Sequence, residues 1–218
     1  MATGNRFGGV GKAVILLLCT ATFGTPLSAQ NNEIPGSKLL AGLLDVQHIQ
    51  QRLNHRAVWH NLPDYHNRAA WLMVPASLQT QWLQAGEKAL TQNWQVVPVT
   101  TYLEYEKSGS RQAMEQLAGH NTEKLKNLVL AELTEGKQRF IPEMLNGLFY
   151  FSEMTTWSAS AHLYLQKNNT GIPDNTDPII DIAGSNLAVL IAWTLHFFGE
   201  ELDAISPVIT KRINREVH

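Results

Sequence analysis

Apolar side chains in this sequence recur at spacings of three and four, and that period constrains the fold more than any other feature. In KLLAGLLDVQHIQQRL, Leu39, Leu43, Val46, Ile49 and Leu53 mark one face of a helix. The same period predicts a second helix from Ala76 to Trp94, carrying Leu78, Trp82, Leu83, Ala85 and Leu90. Proline and glycine punctuate the rest of the chain. Pro98 opens a helix over VTTYLEYEKS that Gly109 can terminate. Ser110 is a candidate N-cap for a long segment from Arg111 to Glu135, with an interruption expected at Gly119-His120-Asn121 and a stop at Gly136. Pro142 occupies a first-turn position ahead of EMLNGLFYFSEM. The segment DIAGSNLAVLIAWTLHFFG is apolar on almost every side and is expected to be a buried helix, with a last helix restarting near Pro207. Strand signals are confined to the short pairs Val96-Val97 and Ile179-Ile180, both bounded by prolines. The reading is a single all-α unit over residues 30–218. Its longest irregular stretch is Gln166 to Pro178, rich in Asn, Asp, Gly and Pro and long enough to line a site.

The first 29 residues have a different logic. Arg6 and Lys12 form a positive start, Ala13 to Phe23 is an apolar run, and Pro26 precedes Leu27-Ser28-Ala29. This is the pattern of a cleaved signal peptide, and the run is short for a bilayer, which takes about 20 apolar residues. Cys19 lacks the small residue that a lipidation box places before its cysteine. Residues 1–29 hold two of the 17 basic residues and none of the 19 acids, so the 189 residues left of 218 carry a charge of −4. They also hold no cysteine, which suits a periplasm or the cell exterior and excludes disulfide scaffolds and cysteine-bound zinc. The balanced charge argues against a nucleic-acid binder. No later stretch is read as a transmembrane span.

No HExxH, GxSxG, P-loop or GxGxxG pattern occurs. His55, His60 and His66 cluster near Trp59, but spacings of five and six fit no metal box, so they read as solvated loop residues. Tyr102, Glu104, Tyr105 and Glu106 share one helix and read as packing plus surface charge. The informative stretch is NGLFYFSEMTTWSASAHLYLQ, Asn146 to Gln166. Glu153 sits in an apolar segment where an unpaired carboxylate is costly. Trp157 offers a flat plate on which a sugar face can stack. His162 can exchange a proton near neutral pH. Glu153 and His162 can equally satisfy buried helix ends.

Five segments in series, TTYLEYEKSGSRQAME, LVLAELTEGKQRF, NGLFYFSEMTTWSASAHL, IPDNTDPIIDIAG and AVLIAWT, resemble the N-terminal helical region of heparinase II/III-type polysaccharide lyases. The resemblance runs from about Trp71 to Val217. It implies an incomplete (α/α) toroid built of antiparallel helix hairpins, in an exported, periplasmic or secreted, bacterial enzyme. Such enzymes cleave uronate-containing acidic polysaccharides, glycosaminoglycans among them, by β-elimination: a Tyr or His takes the C5 proton and an acid protonates the departing glycosidic oxygen. By the same resemblance, Glu153 and His162 become catalytic candidates and Asn146 and Trp157 substrate-binding ones, with no metal or other cofactor in this segment. Two positions depart from the pattern. Ser160 stands before Ala161-His162 where the family often has proline, and Asn186 stands where it commonly has an acid. One hairpin takes roughly 40–50 residues, so the chain supplies about four, and it reads as the front part of a truncated toroid. The flank that further helices would cover could pair two copies. The rival expectation is a non-catalytic periplasmic carbohydrate-binding or scaffold protein derived from the toroid.

Overall fold

The computed structural model describes residues 62–168 and 170–217. The chain divides into two units, Met1–Trp59 and His60–His218, and the described residues belong to the second. The expected signal peptide, the helix at Lys38–Leu53, and His55 and His60 lie outside the described residues.

The described residues are all-helical, with no strand among them. A one-turn helix α1 (Arg68–Trp71) leads into α2 (Ala76–Thr91), α3 (Val99–Ser108), α4 (Gln112–Glu135) and α5 (Ile141–Ser152). A 3-10 helix, Ser160–Leu165, precedes α6 (Ile182–Ile205) and α7 (Val208–Val217). The long helix α4 is the centre of the arrangement. Along it, α2 packs closely, and α3, α5 and α6 also touch it. The core gathers Leu125, Leu128, Phe140, Met144, Leu148, Ile191, Phe198 and Leu202, all essentially without solvent contact. A satellite cluster of Tyr102, Met114 and Leu163 joins α3, α4 and the 3-10 helix.

Most helix ends fall where Pro and Gly place them. Gly109 and Gly136 adopt left-handed φ values of 72° and 67°, and each donates its N–H four residues back, to Tyr105 and Glu132. Three expectations need correction. Ser110 does not cap α4; Arg111 occupies the cap position without a side-chain bond, and an Arg111–Glu115 pair spans the first turn instead. The interruption at Gly119-His120-Asn121 is absent. Buried Asn121 uses its amide to bond both the N–H and the carbonyl of Gln95, each at 2.8 Å, so a residue that would break an exposed helix pins this one. Finally, α2 ends at Thr91 rather than Trp94, because Gln92 turns extended and its carbonyl is taken by Lys124 Nζ at 2.6 Å.

Helix α6 also departs from its expectation. It buries one stripe, Leu187, Ile191, Thr194, Phe198 and Leu202, while Val189 is 56% and Ile182 75% exposed. At 24 residues, with an 18-residue stretch of mean hydropathy 1.4, it is the helix among the described residues whose length and composition could cross a bilayer. The inward stripe packs against α4, α5 and α7, so no clear membrane span is present among the described residues.

Candidate functional site

The chain leaves α5 at Ser152, and the irregular segment from Glu153 to Ala159 carries it to the 3-10 helix. Residues 153–156 of this segment line two grooves. The smaller, of about 300 Å³, is bounded by Val97, Tyr102, Tyr150, Glu153 and Pro173. The larger, of about 900 Å³, runs past Glu153, Thr155, Trp157, Asp174, Asn175 and Arg215.

The loop after the 3-10 helix supplies the opposite wall of both grooves, and one buried side chain holds it. Gln166 Nε2 donates to the carbonyls of Asp174 and Asp177 at 2.7 and 2.8 Å, and its Oε1 accepts from the Asp174 N–H at 3.1 Å. Gly171, at a left-handed φ of 72°, lies against Glu106 of α3, whose Cγ would be 2.3 Å from any added Cβ. Asp177 accepts from the Lys167 N–H at 2.6 Å.

The four residues that sequence reasoning singled out fall into two pairs. Glu153 and Trp157 line the grooves; Asn146 and His162 line neither. Glu153 is exposed and salt-bridged to Arg212. Trp157 is half-buried, and its Nε1 donates to the Phe151 carbonyl at 2.9 Å, which fixes the plane of the indole. Asn146 donates its amide to Glu143 at 2.8 Å. Glu143 in turn meets the fully buried Lys124, whose ammonium lies 4.3 Å from the centre of the Trp94 ring. Burial pushes the Glu143 carboxyl up, but the bonds from Lys124 and Asn146 and the charge of Lys124 outweigh it and hold it below the ordinary carboxylate range.

His162 is held by a residue that sequence reasoning passed over. Asp181 is buried at the start of α6, where its Oδ1 accepts from the Gly184 N–H at 2.7 Å. Its Oδ2 accepts from the Ala159 N–H at 2.8 Å and meets His162 Nδ1 at 2.6 Å. Burial pushes its carboxyl up; the Gly184 N–H, the His162 ring and the Ala159 N–H overcome this and hold it below its ordinary value. An ionised carboxylate only accepts, so Nδ1 carries the proton and Nε2 is left as the second ring nitrogen. Tyr102 belongs to the same neighbourhood. Burial, then the charges of Tyr150 and Asp181, push its phenol up to about 12, so it is protonated at neutral pH. The signal for Asp181 was an N-cap residue directly before an apolar run, a pattern the sequence displays openly. Tyr102 gave no such signal beyond its helix.

His66 is an exposed turn residue, and its Nε2 lies 3.1 Å from Glu201 and 3.9 Å from Glu200. Among the described residues, no group of three His, Cys, Asp or Glu side chains is placed to hold a metal ion. Neither a protein-family model nor a curated protein matches the chain. The groove itself has usable chemistry: an indole plate, hydroxyls and an amide on facing walls, and carboxylates that accept from sugar hydroxyls.

Proposed function

We propose that this chain is the toroid portion of an exported lyase that cleaves uronate-containing polysaccharides by β-elimination. The observation that carries the reading is that residues 153–156 of the motif-bearing segment line two grooves, with Trp157 on the wall of the larger. In this reading Trp157 stacks against a sugar ring and Glu153 accepts from sugar hydroxyls. Glu153, which lines both grooves, takes the C5 proton, and the protonated phenol of Tyr102, which lines the smaller one, gives a proton to the departing oxygen. His162 lies outside both grooves and acts as a positioning residue through Asp181. Asn146 has no role in the groove, because its amide is engaged by Glu143. Export follows from the leader-like residues 1–29.

A second reading, a non-catalytic carbohydrate-binding protein, is favoured by the same indole-and-carboxylate lining, which needs no proton transfer to hold a glycan. One experiment separates the two. The secreted protein is incubated with uronate polysaccharides, and the products are followed by the ultraviolet absorbance of unsaturated uronate ends. Lysis abolished by E153Q and reduced at least about tenfold by Y102F supports the lyase. Binding without unsaturated ends selects the second reading, and neither binding nor lysis rejects both.

A further inference from the structure

The charges around the larger groove narrow the class of glycan it accepts. Three carboxylates line it, Glu153, Asp174 and Glu216, against one guanidinium, Arg215. That guanidinium is already engaged: Arg215 Nη2 and Nε lie 3.1 and 3.3 Å from Glu216. The next nearest, Arg212, is salt-bridged to Glu153. A third cationic feature, the positive N-terminal end of α6, opens beside the groove at Gly184 and Ser185, and there Asp181 has claimed the Gly184 N–H. Each positive feature at this groove is thus matched by a carboxylate of the chain itself.

A sulfated polymer carries fixed charges that demand unopposed guanidinium or ammonium groups, and an acidic wall repels it over a distance near the Debye length of about 8 Å. A sparsely charged chain makes no such demand. Thr155, Asn175 and Ser185 are exposed on the walls and make no side-chain bond among the described residues, so they are available to sugar hydroxyls and to an isolated carboxylate. We infer that the groove takes unsulfated uronate glycans, in which neutral sugars separate single carboxylates, and excludes their sulfated counterparts. This inference rests on the reading of the groove as a uronate-glycan site.

Titration calorimetry on the full chain at about 0.15 M salt tests it with three probes. These are an unsulfated oligosaccharide of alternating uronate and N-acetylhexosamine, the same backbone sulfated, and a neutral glucan. The expected result is at least tenfold tighter binding of the unsulfated probe than of the sulfated one. The double variant D174N/E216Q, which removes two surface carboxylates and frees Arg215, should narrow that ratio several-fold. Asparagine at 174 still accepts the bonds that Thr176 donates to this side chain, so the loop is kept. Equal or tighter binding of the sulfated probe overturns the inference and leaves the uronate reading standing. Binding of the glucan alone overturns the uronate reading, and binding of none overturns both.

Discussion

Asp181 joins three pieces of chain through one carboxylate: the start of α6 at Gly184, the backbone at Ala159 and the ring of His162. Because the group is buried, removing its charge leaves donors without an equal partner, at a cost of about 1–3 kcal/mol. The D181N variant should therefore lower the urea midpoint with an unchanged m-value, and a double-mutant cycle with H162Q should show a coupling of about 1–2 kcal/mol. A coupling near zero would mean the contact contributes nothing to folding. Buried Glu132 shows a similar economy. It accepts from Tyr65 Oη at 2.8 Å, the Gln138 N–H at 2.7 Å and the Phe140 N–H at 3.0 Å, so a carboxylate with no solvent contact is surrounded by donors. Beyond the N-cap place of Asp181, neither network was legible in the sequence, since partners lie up to 22 positions away for Asp181 and 67 for Glu132.

Helix positions were legible because they rest on local chemistry: the three-four spacing, prolines at the starts of α3 and α5, and glycines at the ends of α3 and α4. Which faces are covered was not, because that depends on neighbours. Composition made α6 a fully buried helix, yet among the described residues its fully buried positions follow one stripe. Leu187→Ala should consequently cost about 2–5 kcal/mol, whereas Val189→Ala should stay within about 0.5 kcal/mol. Comparable losses at both positions in chemical denaturation would show that the outer face is covered as well. The contact of α2 with α4 is the tightest between helices. A Cβ on Gly86 would fall 2.2 Å from the Cβ of Ala131 and 3.0 Å from the Phe140 ring. Despite the better helix propensity of alanine, Gly86→Ala should destabilise the protein by about 1–3 kcal/mol, read as a lowered melting temperature. An unchanged or higher melting temperature would mean that the two helices can separate freely.

For the molecule as a whole, these groups set the pH range of stability. Asp181 and Glu143 have folded pKa values below their unfolded values of about 4, so their stabilisation is present above pH 4 and is lost as pH falls through the folded values. The phenols act in the opposite direction. Burial holds Tyr65, Tyr102 and Tyr150 above their unfolded value of about 10, so their contribution is intact below pH 10 and fades above it, for Tyr102 as pH passes about 12. Urea midpoints should form a plateau from about pH 5 to 9 and fall on both sides, with Y102F flattening the alkaline side. A midpoint that rises below pH 4 would contradict the assignment of the carboxylates. The site was half legible: the segment bearing Glu153 and Trp157 announces itself by composition, but the walls facing it come from the loop after the 3-10 helix and from the end of α7. That loop closes on the Gln166 amide and on the Asp177 carboxylate, which accepts from the Lys167 N–H. All three bonds of the Gln166 side chain go to main-chain atoms, so its share of the closure does not depend on the side chains at the loop's tip. Asn175, exposed at the tip, can be exchanged without unseating the frame beneath it, which makes that position an interchangeable part on an unaltered scaffold.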